Sequence, residues 1–260
     1  MKLHEDEILF TRLINFSANN LNIRPEFIEK DYWITRALQL MAQNPNAEKV
    51  VFKGGTSLSK AYRLTNRFSE DIDIAVIDAD SFSGNQLKML LKRLVKDMAS
   101  DITEYLTVIN RQDLIEQYEL KPFSISVLDK RRTIVEKLVS LIRFSFEEDV
   151  IKALASKIRH FYDLYYLAND VECTKYIQST EFQKDLSELL IHDQQEFDAP
   201  KGWQTKTINN SPLIKDFSTL WIGLRSTYQN ELSPLAFSEI PDEDSIKASF
   251  EKIIKSIMIP

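Results

Sequence analysis

The sequence predicts an α+β fold, a small mixed sheet flanked by helices and then a helical region. Three observations carry this. Val50–Phe52, Asp71–Val76, Thr103–Val108 and Phe123–Leu128 are short, β-branched or alternating stretches of strand length. The segments around them repeat their apolar residues at three and four, as amphipathic helices do. From Lys130 onward every segment has helical spacing, so a boundary falls near Asp129 and divides the chain into 1–129 and 130–260.

Composition bounds the function. The chain has 260 residues, 43% hydrophobic and 28% charged, as expected of a soluble globular protein. No apolar run reaches transmembrane length, and the acidic start Met1–Glu7 is not a signal peptide. Cys173 stands alone, which excludes a disulfide framework and a cysteine metal site. A bacterial-type cytoplasm is the expected compartment. The net charge of −6 argues against a general nucleic-acid coat but leaves room for a local basic patch.

In chain order, His4–Asn20 reads as a first helix with Ile8, Leu9, Leu13, Ile14 and Phe16 on its apolar side. Pro25 suits the first position of a second helix, whose apolar side is Phe27, Ile28, Tyr32, Trp33, Ala37 and Leu40. Within it, Glu29-Lys30-Asp31-Tyr32 reads as a charged outer face. Val50–Phe52 is a buried strand.

Gly54–Asp73, GGTSLSKAYRLTNRFSEDID, follows and organises the rest. Gly54 and Gly55 permit a sharp turn and close approach to a ligand. Thr56 and Ser57 are expected to cap a helix over Leu58–Leu64, and a helix start attracts anions. In Asp71-Ile72-Asp73-Ile74, strand alternation aims both carboxylates one way and sends Ile72, Ile74 and Val76 to the core. Two adjacent carboxylates repel, and a divalent cation removes the repulsion. A Walker P-loop is excluded, because Lys60 lies five residues beyond Gly55 and precedes Ala61.

Asp78–Asn85 reads as a loop, Gln86–Met98 as a helix, and Pro122 opens the strand Phe123–Leu128. Thr133–Glu136 fits a capping box at the start of a helix that runs to Phe144 with Lys137 in its first turn. Further helices are read at Ser156–Ala168, Asp185–Ile191, Leu213–Tyr228 and Ser245–Met258, with loops marked by Pro200 and Gly202, then Pro234 and Pro241. Arg159 and Asp163 are four apart, the spacing of a surface ion pair. Phe161, Tyr162, Tyr165 and Tyr166 read as core, and His160 as a core or supporting residue. Between Asp129 and His160, eight basic residues outnumber five acids, among them the run Lys130-Arg131-Arg132 and Arg143.

These motifs resemble the AbiEii/MenT family of nucleotidyltransferase-like toxins, in the DNA polymerase β-like nucleotidyltransferase superfamily. The glycine turn, the short helix and Arg67-Phe68-Ser69-Glu70-Asp71-Ile72-Asp73 match its first motif, Gly-Gly or Gly-Ser, then R-x-S-x-D-x-D. Glu29–Tyr32 resembles the E-K-D-Y step that precedes it. Glu136-Lys137-Leu138 resembles its E-K-L step, and Lys157–Asp163 its K-x-R-D/H-x-Y-D step, with His160 where many relatives carry Asp.

The resemblance implies transfer of NMP from an NTP. Asp71 and Asp73 would hold Mg²⁺ or Mn²⁺. Gly54, Gly55, Thr56, Ser57, Arg67 and Ser69 would bind nucleotide. Lys137 would steady the triphosphate, and Asp163 would orient Lys137 or act as a base, in a cleft between the two regions. A third metal carboxylate has two candidates, Asp129 and Glu119. The family further implies a toxin–antitoxin or phage-defence role, an RNA or tRNA acceptor and a winged-helix antitoxin encoded alongside. Two rivals stand beside this reading: a catalytically inactive nucleotide-binding regulator, and a nucleotidyltransferase acting on protein or a small molecule.

Overall fold

A computed structural model describes residues 1–69, 71–77 and 93–257. The expected loop Asp78–Asn85, the apolar positions Leu87, Leu90 and Leu91, and Met258 lie outside the described residues. Contacts divide the chain into two compact units, Met1–Asp129 and Lys130–Pro260.

The first unit is built on a four-stranded mixed sheet in the order β2-β1-β4-β3, with β1 Val50–Lys53, β2 Asp73–Val76, β3 Arg93–Met98 and β4 Phe123–Leu128. β1 pairs antiparallel with β2, Lys53 opposite Asp73 and Phe52 opposite Ile74. It pairs parallel with β4, Phe52 beside Val127. β4 pairs antiparallel with β3. The inner strands are fully buried at Val51, Phe52, Val127 and Leu128. β2 ends the sheet among the described residues, and its Ile74 and Val76 are exposed rather than in the core. A strand at the end of a sheet needs no second covering layer, so alternation there does not select a buried face.

Helices α1 Glu7–Leu21, α2 Pro25–Ala42, α3 Gly54–Lys60, α4 Asp101–Val108 and α5 Gln112–Gln117 complete this unit. α1, α2, α4 and α5 share a core that includes Phe10, Ile14, Ile28, Tyr32, Ile102 and Leu106. The apolar sides are rotated from expectation. Ile8 and Phe16 on α1, and Trp33 and Leu40 on α2, face solvent, while Phe10, Ala18, Ile34 and Leu38 are buried.

Two segments change class. Thr103–Val108 belongs to α4, because the Ser100 side chain accepts a hydrogen bond from the Thr103 amide at 3.2 Å and starts a helix there. Its buried pair Ile102 and Leu106 is spaced by four, not two. The end of the expected Gln86–Met98 helix is strand β3 instead, since pairing with β4 outweighs the leucine periodicity.

The second unit holds the helices α6 Lys130–Phe144, α7 Val150–Ala155, α8 Ile158–Asn169, α9 Val171–Ile177, α10 Thr180–Glu196, α11 Pro212–Lys215, α12 Phe217–Leu232 and α13 Glu243–Ile257. α6 starts three residues before Thr133, so Thr133 is buried inside the helix and the expected capping box is absent. The helix read over Leu213–Tyr228 is broken at Asp216, whose carboxylate accepts from the Thr219 amide at 3.3 Å and restarts the chain as α12. Phe161 packs against Phe217, Trp221 and Phe250 with ring centroids 5.8, 5.5 and 5.0 Å away, so the aromatic stretch of α8 is core.

Candidate active site

In the first unit the glycine turn brings the acid pair into place. β1 ends at Lys53 and α3 begins at once with Gly54, whose φ of +79° favours glycine. A Cβ at Gly54 would overlap the Asp73 carboxylate, so the missing side chain is what gives Asp73 its room. Asp73 lies directly across the β1–β2 ladder from Lys53, and its carboxylate packs over the turn. The Thr56 hydroxyl donates to the Asp71 carbonyl and ties the start of α3 to the segment entering β2. Asp71 and Asp73 are both exposed.

The hydroxyls of the turn serve the fold. α3 starts at Gly54, two residues before Thr56, so neither Thr56 nor Ser57 caps it, and it ends at Lys60 rather than Leu64. Ser57 is fully buried and its Oγ donates to the Gly54 carbonyl at 2.8 Å. Backbone N–H groups of the first turn, which have no acceptor within the helix, are what this turn can offer an anion. Arg67 is buried, one Nη donating to the Phe68 carbonyl at 3.2 Å, and Ser69 is half-buried.

Sequence reading misses one cluster here. The Asp31 carboxylate, read above as part of an outer face, is buried and accepts from Lys60 Nζ and from the Asp101 amide, the latter at 2.9 Å. The available signal is position: Asp31 is one residue before the buried Tyr32, and one after Lys30, whose ammonium lies over the Phe68 ring.

In the second unit Lys137 and Asp163 form an ion pair at 2.8 Å, their side chains 8% and 0% exposed. Asp163 is thus a buried partner of Lys137, not half of a surface pair. Its carboxylate is fully buried against the Lys137 ammonium. The basic run is largely spoken for: Lys130 bonds Asp170 at 2.7 Å and Glu172 at 3.3 Å, Arg131 lies 3.7 Å from Glu172, and Arg132 lies 3.8 Å from Glu136. Lys157 and Arg159 differ. Both are half-buried, and neither has an ion pair among the described residues. Burial, then the charges of Arg143 and Arg159, hold the Lys157 ammonium below the ordinary lysine range. His160 beside them is half-buried.

The family described as nucleotidyl transferase AbiEii toxin, type IV toxin–antitoxin system, matches residues 36–119 and 107–255. The chain belongs to the AbiEii family. A search of curated proteins gives no match, and neither does one of solved structures. Membership makes this chain a nucleotidyltransferase toxin of a type IV system, with a nucleotide substrate and an antitoxin counterpart.

For an AbiEii chain the metal question can be put to these residues. Mg²⁺ takes hard oxygen ligands and is commonly held by one or two carboxylates together with substrate phosphates. Two exposed carboxylates, one seated in a gap that a Cβ would fill, fit that requirement. No cluster of three His, Cys, Asp or Glu suited to a metal occurs among the described residues. Of the two candidates for a third carboxylate, Glu119 lies on an exposed turn with φ +55° and pairs with Lys2, and Asp129 is buried. Cys173 is buried, and burial pushes its thiol well above the usual range, so it is no nucleophile. No described helix is long and apolar enough to cross a membrane.

Proposed function

We propose that this AbiEii chain transfers an NMP group from an NTP to an RNA acceptor, tRNA being the leading candidate, with Mg²⁺ or Mn²⁺ on Asp71 and Asp73. The observation that supports the reading is the seat of the Asp73 carboxylate over Gly54, in space that any side chain at position 54 would fill. A bound divalent ion would neutralise charge on the phosphates during transfer.

The chain's own groups do the rest. The backbone N–H groups from Gly54 to Ser57 hold phosphate oxygens, and Thr56 keeps Asp71 beside them through the bond to its carbonyl. Arg67 and Ser69 support this segment. Lys137, held in one rotamer by Asp163, supplies a fixed positive charge to the triphosphate. The acceptor oxygen attacks the α-phosphorus, the bond to the β-phosphate breaks, and pyrophosphate leaves. Lys157 and Arg159 are the cations best suited to an acceptor's phosphates, since neither has an ion pair among the described residues. Halted translation follows from a modified tRNA, which gives the toxin its effect and a winged-helix antitoxin or phage-defence context its purpose.

Incubation with each labelled NTP, total RNA and total protein tests this directly. Label in RNA, lost with Asp73→Ala, is the expected result. Label in protein alone overturns the RNA acceptor, and growth arrest by Asp73→Ala equal to the wild type's overturns transfer as the source of toxicity.

A further inference from the structure

α2 supplies none of the residues assigned above to phosphate or metal, yet its side chains reach the segment that carries them at two separate points. At the first, Asp31 accepts from the ammonium of Lys60, the last residue of α3, with both side chains about nine-tenths buried. The other Asp31 oxygen takes the amide of Asp101, which opens α4, at 2.9 Å. At the second point, one helical turn earlier, Phe27 stacks on Phe68 with ring centroids 5.0 Å apart and planes at 13°. Lys30 Nζ lies 5.2 Å from the centre of the Phe68 ring, and the Arg24 guanidinium lies 4.1 Å from that of Phe27. Phe68 is three residues before Asp71.

We propose that α2 is a positioning brace for nucleotidyl transfer, and that Asp31 is its principal residue, acting through Lys60 on the helix whose other end is the Gly54 turn. The proposal rests on the reading of that turn given above. α3 has seven residues, too few for a helix to hold its own geometry in water. Its orientation must come from anchors. β1 fixes the front, the Thr56 bond to the Asp71 carbonyl fixes the first turn, and the Lys60–Asp31 pair fixes the rear. Releasing the rear lets α3 pivot about the glycine turn, so the turn's N–H groups and the space kept for Asp73 shift together. A carboxylate buried to this degree and bonded to two different helices costs too much desolvation to be incidental.

The test uses Asp31→Asn, Lys60→Met and the double variant, with kcat and KM measured well below the unfolding temperature. Amide exchange is followed in parallel without substrate. Each single variant should lower kcat by about 10–100-fold, the cost of misplacing a reacting group by roughly 1 Å, with a KM change of less than about 3-fold. The double should be no worse than the worse single, because both remove one link. The α3 amides should exchange faster while those of α1 keep their rates. Should Asp31→Asn fail to fold, Lys60→Met, which leaves the Asp31–Asp101 bond in place, carries the same comparison. Unchanged kcat in the folded variants, additive losses in the double, or exchange that quickens equally throughout residues 1–129 would each overturn the brace. A wild-type protein without transfer activity overturns the functional reading instead, and α3 exchange in Lys60→Met still decides this one.

Discussion

The Lys137–Asp163 pair offers the sharpest separation of chemistry from folding. The charges are 2.8 Å apart, with side chains 8% and 0% exposed. At an effective dielectric near 20, unit charges at that distance attract by about 6 kcal/mol, and desolvation of the two ions offsets much of it. The net worth of the pair is therefore small, but the penalty for breaking it is not. Lys137→Met takes the counter-charge from a buried carboxylate, and Asp163→Asn takes it from a buried ammonium. Each should cost about 3–5 kcal/mol. Lys137→Met with Asp163→Asn removes both charges of the pair and leaves a buried amide, at about 1–3 kcal/mol. The double should thus be more stable than either single. Urea unfolding read by tryptophan fluorescence reports on this unit, since Trp203 and Trp221 are both buried in it. Transfer activity should vanish in all three variants, including the stabilised double. Single-variant costs under about 1 kcal/mol would mean a solvated pair, and transfer retained by the double would make Lys137 purely structural.

Further expectations follow from the other sites. Gly54→Ala should abolish transfer and destabilise by at least about 1 kcal/mol, since it combines positive φ with overlap on Asp73; normal activity in a folded Gly54→Ala protein refutes the tight seat. Ser57→Ala should lose roughly 1 kcal/mol of stability yet bind NTP normally by calorimetry, because its hydroxyl is spent on Gly54. Burial and the Asp31 charge, then Glu104, push the Asp101 carboxyl up to about 7 against the pull of Lys60 and Arg63. The folded state thus holds a proton that the unfolded state releases near pH 4, so stability should fall as pH rises from about 4 to about 7, by up to about 1.4 kcal/mol per pH unit, and level off above. Asp101→Asn should remove that slope, and a slope that survives places its origin elsewhere. Lys157→Ala and Arg159→Ala should each weaken RNA binding and reduce its salt dependence by about 0.7–0.9 in log–log slope; equal slopes in variant and wild type put the RNA contact on other residues.

Local chemistry was the legible part. Val50–Phe52 reads as a strand because it is continuously apolar and Phe123–Leu128 because it alternates, and Pro25 marks α2 correctly. The pairing of Lys137 with Asp163 is legible through the resemblance, which matches Lys137 to the E-K-L step and Asp163 to the acid of the K-x-R-D/H-x-Y-D step. What failed depends on distant partners. Leu94–Met98 became a strand through β4, and Asp31 turned inward through Lys60, 29 residues away. The hydroxyls of Thr56 and Ser57 were assigned to a cap, because nothing in a one-dimensional pattern shows that the helix already begins at Gly54. Charge counting likewise shows nothing of pairing: Lys130 is answered by Asp170, 40 residues on.

The acid pair also sits where a sheet is most vulnerable. β2 is the end strand among the described residues, and its Ile74 and Val76 are exposed. Such a strand invites another chain to add to it, and charges at the edge discourage that. Asp73 opens that strand and Asp71 lies two residues before it, so their charges are expected to discourage self-association whether or not they carry out transfer. Neutralising them to make a harmless toxin removes that protection along with the activity. Preparations of Asp73→Ala should aggregate at lower concentration than the active protein, so a soluble inactive form for structural work is better sought in the double variant Lys137→Met with Asp163→Asn.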